Sequence, residues 1–344
     1  MKNKNFVAVG LIIGSMLISS FSFYFWQVIY TANILVDQEA RIFRIPPASD
    51  FKYVQNALYD EGIVNDLVSF SFLAKIKSYD QHIKPGIYKF RSDMSNNDAI
   101  NMLRAGDQTP IKLTFSTARG LPELAAKIAS YMEFDSLDMI SALLDPEIAT
   151  TYGFTTETFM CLFIPNTYEV YATETPIDIL NRIQVAYDNY WTKERLEHAN
   201  KIGLSPIEVI TLASIVDAET NRMDEAPRVA GVYINRLKKG IKLQADPTLV
   251  FALGDYSIKR VLLEHMKVDS PYNTYKYAGL PPGPINLPAI AAIEAVLNFE
   301  THNFLFFCAD ADFSGYHKFA KTLSEHNENA RNLHNVLNKR KIFK

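Results

Sequence analysis

The pattern of apolar and polar positions divides the chain at its start. From Phe6 to Tyr30 nearly every residue is apolar, and no charged residue stands between Lys4 and Asp37. Such a run is long enough to cross a bilayer as a helix. Aromatic residues crowd its far end, at Phe21, Phe23, Tyr24, Phe25, Trp26 and Tyr30, and such rings suit a membrane interface. A cleaved signal peptide would have a shorter apolar core and a small-residue cleavage site. The pattern therefore predicts an uncleaved single-pass anchor over residues 6–30. Lys2 and Lys4 put a short tail, residues 1–5, in the cytoplasm and the rest of the chain outside it.

Beyond the anchor the periodicity changes repeatedly. Residues 34–45 read as an extended connector or strand, ended by Pro46 and Pro47. Helical spacing follows over 51–61 and 65–77, then a short alternating strand over 86–90. Ser95 caps a helix over 97–104 that Gly106 ends, and 111–115 is a further strand. These elements make a small α+β module, either a spacer or a glycan-binding unit. Amphipathic helices are expected over 121–132 and 135–144, a loop entering an extended segment over 163–172, and a long helix over 177–200. A helix over 227–239, stopped by Gly240, precedes a tight turn that feeds another helix within 243–253. Residues 271–288 form a loop with five prolines; loops of that length inside a domain are usually functional. A helix over 289–297 and a hairpin of 304–309 with 317–322 complete the pattern.

The most informative helix runs from Ser205 to Thr220. Ser205 and Glu208 form a capping-box pair, with Pro206 at the favoured first position. Val209, Ile210, Leu212, Ala213, Ile215 and Val216 leave it apolar nearly all round, which marks a buried helix. Asp217 and Glu219 then stand at its C-terminal end. Burial and the negative end of the helix dipole both disfavour a charged carboxylate there. The resulting rise in pKa is what a general acid near neutral pH needs. Asp217 and Glu219 are two residues apart, so they point to different helix faces.

Composition narrows the function. The chain has 344 residues, is 48% hydrophobic and carries a formal net charge of −3. That length suffices for two domains, and with no long basic block a nucleic-acid partner is not expected. Cys161 and Cys308 fit no metal spacing and no disulfide framework, though they could pair if they meet in space. His317 and His326 lack a third ligand at useful spacing, so no metal and no cofactor is expected.

Polar clusters punctuate the last two thirds: Leu212 to Thr220 (LASIVDAET), Val232 to Leu237 (VYINRL), Leu243 to Thr248 (LQADPT), Tyr272 to Tyr275 (YNTY), Gly279 to Ile285 (GLPPGPI), and His317 to Asn327 with its His-x-Phe and Glu-His-Asn elements. In order and spacing this set resembles the YceG-like family of endolytic murein transglycosylases. The match covers roughly 30–330, and an anchor before it suits the family.

The resemblance implies that Glu219 is the catalytic acid. It implies peptidoglycan glycan strands as substrate, cleaved without water between N-acetylmuramic acid and N-acetylglucosamine to leave a 1,6-anhydromuramic end and terminate elongation. It also implies an α+β fold with an N-terminal transmembrane helix, a small LysM-like module over 31–110, and a helix-rich catalytic domain with a small β-sheet over 111–344. An inner-membrane enzyme whose active domain faces the periplasmic peptidoglycan follows, with peptidoglycan synthases as partners.

One carboxyl suffices for such chemistry, because the sugar's own C6 hydroxyl replaces water as nucleophile. The same residue can serve as acid and then as base. Around Glu219, Asp217 reads as a supporting acid. Asn235, Gln244 and Asp246 either hydrogen-bond sugar or orient Glu219; Asp246, before Pro247, could equally cap the next helix. Arg236 reads as structural. Tyr272 and Tyr275 either stack on sugar faces or simply pack. Thr248, Asn273, His326 and Asn327 belong to the same motifs and are candidates for substrate binding or support. Asn166 stands where many relatives carry Asp, so that loop supplies no ionised second carboxylate here, and Met160-Cys161 replaces a common Glu-Gly pair. Two rival readings stand beside this one: a muramidase-type hydrolase using Glu219 with a second acid such as Asp246, and a non-catalytic wall-binding scaffold.

Overall fold

A single helix, α1 (Lys2–Tyr30), takes up the apolar run in the computed structural model, which describes residues 2–36, 40–258 and 260–339. Asn5–Tyr30 is long and apolar enough to cross a membrane, with its most apolar stretch unburied by the rest of the protein. Met1, Asp37 and residues 340–344, which fall in segments assigned from the sequence, lie outside the described residues. The chain forms two units. The first runs up to Lys112 and takes in Tyr131–Glu133 and Glu169–Glu174. The second comprises Leu113–Ser130, Phe134–Tyr168 and the chain from Thr175.

In the first unit, β1 (Arg41–Ile45), α2 (Phe51–Asp60), α3 (Leu67–Ile76), β2 (Gly86–Phe90) and α4 (Asn96–Ala105) follow one another. Asp50, Asp66 and Ser95 cap the three helices by accepting backbone N–H bonds. β1 and β2 pair antiparallel with Phe43 opposite Tyr88. Alternation turns Phe43, Ile45, Tyr88 and Phe90 into one core with Phe70, Tyr79 and Ile100.

The second unit is mostly helical. β3 (Ile111–Phe115) and β4 (Asn166–Val170), of which Leu113–Phe115 and Asn166–Tyr168 belong to this unit, form a two-stranded sheet. Between them lie α5 (Leu121–Ala129), α6 (Ser136–Leu144) and α7 (Pro146–Thr151). After β4 come α8 (Pro176–Tyr190), α9 (Lys193–Ile202), α10 (Pro206–Glu219), α11 (Ala226–Lys238), α12 (Asp246–Leu253) and α13 (Ile290–Leu297). The hairpin β5 (Phe306–Ala309) with β6 (His317–Ala320) and the helix α14 (Leu323–Lys339) complete it. Helix α10 is the centre of this unit. Every residue from Val209 to Val216 is buried, and α9, α11, α12 and α13 pack on it. Burying each large apolar side chain contributes about 1.5–3 kcal/mol, so the position of Glu219 at its end is firmly fixed.

Several expectations need correction. The long helix over 177–200 is two helices. Trp191 is buried with non-helical backbone (φ −80°, ψ 66°), and the Thr192 side chain caps α9 by accepting from Arg195 N. Helix α5 ends at Ala129, three residues short of Met132. The strands form separate two-stranded sheets, among the described residues, in place of one small sheet. Helices α7 and α14 were not anticipated. Cys161 and Cys308 are both free.

Candidate active site

Glu219 closes α10, and α11 packs beside that helix. Tyr233 on α11 is buried and donates its phenolic O–H to Glu219 Oε1 at 2.6 Å. Burial pushes the Glu219 carboxyl up, and the nearby charge of Asp246 adds to this. The Tyr233 hydrogen bond and the Arg236 guanidinium oppose them, and the balance lies at about 7. A carboxylic acid poised there can give a proton and take one back near neutral pH.

Two cavities meet at this acid, since Glu219 and Asp246 line both. The first, of about 390 Å³, is walled by Tyr233, Arg236, Gln244, Tyr275, His317 and His326 among others. The second, of about 420 Å³, is walled by Arg119, Val250, Phe251, Tyr256 and Asn286 among others. Both are of the size of small-molecule sites.

Residues 43–332 match the sequence model of the YceG-like family. The chain belongs to that family. It is 27% identical over 299 residues to the endolytic murein transglycosylase of Bacillus subtilis, covering 83% of this chain and 82% of the relative. The endolytic murein transglycosylase of Streptococcus pneumoniae is 26% identical over 359 residues; the match takes in 95% of this chain but 64% of that longer protein. A crystal structure of a YceG-like protein from Listeria monocytogenes superposes with a TM-score of 0.56 at 28% identity, covering 85% of this chain and 99% of that one.

The residues singled out in the sequence fall into three groups. Glu219, Asp246, Gln244, Tyr275 and His326 come together on the first cavity. Asp246 is the first residue of α12, and its carboxylate accepts from the Tyr275 hydroxyl. It does not cap that helix: Ala245 occupies the cap position with no side-chain bond, which removes the capping alternative. Gln244 adopts φ +53°, and its side-chain oxygen accepts from Arg236 at 3.2 Å. His326 stacks on Phe306, ring centroids 5.4 Å apart, with Nδ1 buried and unbonded. Burial and the Arg236 charge hold its pKa below the usual histidine value.

A second group braces the site from behind. Asp217 accepts from Ala289 N at 3.4 Å, on a side of α10 away from the Tyr233 bond, and burial raises its pKa. Asn235 donates to the carbonyls of His302 and Phe304 at 2.8 and 3.0 Å. Asn273 is buried and ties Met266 O and Val268 O to the N–H groups of Tyr275 and Lys276. Thr248 is buried against Thr274, with 2.8 Å between their hydroxyls. Tyr272 packs on Phe251, ring centroids 4.7 Å apart.

A third group stands apart from both cavities. Asn166 opens β4, exposed, with Oδ1 accepting from Thr167 N. Asn327 is exposed on α14.

Two residues, Tyr233 and Glu225, gain a place that the sequence did not give them, and Arg236, read as structural, also lines the first cavity. Tyr233 was only the aromatic member of a helical motif. Arg236, buried, donates to Leu305 O at 2.6 Å, Leu243 O at 2.8 Å and Lys242 O at 3.1 Å while lining the first cavity. Glu225, buried, accepts both from His317 Nδ1 at 2.6 Å and from His317 N at 2.9 Å.

Proposed function

We propose that this protein is a membrane-anchored endolytic transglycosylase that cuts peptidoglycan glycan strands by a lytic route. It is an enzyme of the murein transglycosylase type, as its curated relatives are named. The observation that carries the reaction is Glu219 at about pKa 7, on a wall shared by two cavities. An endolytic cut needs sugar units on both sides of the acid, and two adjoining cavities accommodate that.

In this mechanism protonated Glu219 gives its proton to the glycosidic oxygen as the bond to muramoyl C1 breaks. The C6 hydroxyl of the same sugar attacks C1, giving the 1,6-anhydro end, and its proton must pass to a base. The minimal cycle returns that proton to Glu219. Asp246, Gln244 and Tyr275 are read as substrate-binding groups, and Asp217, Asn235, Thr248 and Asn273 as groups that fix the wall.

The finer organisation is part of the proposal. Residues 6–30 anchor the chain, with the N-terminus cytoplasmic and the rest facing the peptidoglycan. Residues 31–110 hold glycan as a LysM-like module; the β1-α2-α3-β2 order with its own core supports this. Residues 111–344 form the catalytic domain, and peptidoglycan synthases are the expected partners.

Mass spectrometry of uncrosslinked glycan strands tests the reaction. Anhydro-ended fragments from the native protein and none from Glu219→Gln are expected. Reducing ends would make it a hydrolase, and binding without cleavage by either protein would make it a scaffold.

A further inference from the structure

Glu219 and His317 line the same 390 Å³ cavity, yet the minimal cycle uses only the glutamate. His317 is held rigidly. Its Nδ1 and its backbone N both bond the buried Glu225 carboxylate, at 2.6 and 2.9 Å, and the Phe307 ring stands edge-on to the imidazole at 5.2 Å. Glu225 is fixed in turn. The segment before α11 is tied to the β5–β6 turn, where Tyr316 donates to Asp224 at 2.7 Å and Arg222 donates to Ser314 O. A carboxylate behind Nδ1 keeps the proton on that nitrogen, leaves the Nε2 lone pair free, and stabilises the imidazolium formed when Nε2 takes a proton. Among the described residues, Nε2 has no hydrogen-bond partner.

The minimal cycle also has a timing difficulty. Glu219 can accept the C6 proton only after it has ionised. Its Oε1 is already engaged by Tyr233, so the oxygen that has just served the leaving group would have to turn to the nucleophile. An attack that begins while the glycosidic oxygen is being protonated needs an acceptor already in place.

We propose that His317, backed by Glu225, is that acceptor, a second catalytic residue that takes the proton of the muramoyl C6 hydroxyl. The inference rests on the lytic reading above. The C6 oxygen–C1 bond forms and the C1–glycosidic oxygen bond breaks. Glu219 gives its proton to the leaving oxygen, and the hydroxyl proton passes to Nε2. Solvent then removes one proton from His317 and returns one to Glu219. Titratable and charged groups around the imidazole are Glu225, Asp224 and Arg222 on the segment before α11, Glu219 of α10, Arg236 of α11, Asp246 of α12, His326 of α14, and the Asp310–Lys318 pair of the hairpin.

The test uses the full chain in detergent with uncrosslinked strands, counting anhydro ends from pH 5 to 9. His317→Asn keeps a side-chain N–H for Glu225 and deletes Nε2. Its kcat should fall about 100-fold or more with KM nearly unchanged, and the acid limb of the profile should vanish. Added imidazole should restore part of the activity of His317→Ala but none to Glu219→Gln. Native kcat and an intact acid limb in His317→Asn would overturn the proposal and leave Glu219 as sole acid and base. If His317→Asn does not fold, His317→Ala decides, and absence of rescue by imidazole overturns it. Reducing ends from the native protein would instead remove the lytic reading itself.

Discussion

Tyr233 donates its hydroxyl proton to Glu219 across 2.6 Å, from one helix to the end of the next. This bond favours the charged carboxylate, so it lowers a pKa that burial raises. Tyr233→Phe removes the donor without changing the ring. The Glu219 pKa should rise above its value of about 7, and the basic limb of the pH–rate profile should move to higher pH. An unmoved or downward-moving limb would mean that the titrating acid is another group.

Asp246 acts on the same carboxyl with the opposite sign. Its negative charge disfavours ionised Glu219. Asp246→Asn should therefore move the basic limb to lower pH while leaving anhydro-ended products at pH 5 to 6. This variant also separates the hydrolase rival. A two-carboxylate hydrolase would lose nearly all activity with Asp246→Asn, and its native product would carry reducing ends.

The sequence made α10 readable because its signals are local. A capping box, a proline and an apolar run lie within a dozen positions, and all agree. The strands β2 and β3 were readable for the same reason. The break at Trp191 was hidden because α9 is made of strong helix formers that read on from α8; the buried indole and the Thr192 cap mark it. Around Glu219 the acid itself was legible as a carboxyl at the end of a buried helix. Its partners were not, because Tyr233 comes from the next helix and Glu225 meets His317 from 92 positions away. Periodicity carries no record of such meetings. Asn235 shows the limit of a motif: the sequence leaves it either bonding sugar or orienting Glu219, whereas its amide is spent on two backbone carbonyls.

Asn235 should accordingly behave as a structural residue. Asn235→Ala strips donors from the carbonyls of His302 and Phe304, each worth about 1–3 kcal/mol when left unpaired. The variant should lose a few kcal/mol in urea denaturation and keep most of its kcat at low temperature. Arg236→Lys should be costlier, since a single ammonium cannot reach Leu305 O, Leu243 O and Lys242 O in the fork geometry of a guanidinium. A catalytic collapse of Asn235→Ala at full stability would return Asn235 to the substrate-binding set.

The acid itself should carry a stability cost that depends on pH. Folded Glu219 holds its proton to about pH 7, whereas the free side chain releases it near 4.5. Between these values the folded chain binds more protons than the unfolded one, so stability falls as pH rises across that window. The full effect is of order 3 kcal/mol. Glu219→Gln keeps the shape and cannot ionise. Native and variant should therefore have similar urea midpoints at pH 4, and the inactive variant should be the more stable at pH 8, by up to about 3 kcal/mol. The gain should open between pH 5 and 7 and then level off. An equal difference at pH 4 and pH 8 would show that Glu219 ionises in the folded chain as it does in the unfolded one, and the raised pKa on which the acid role depends would be lost.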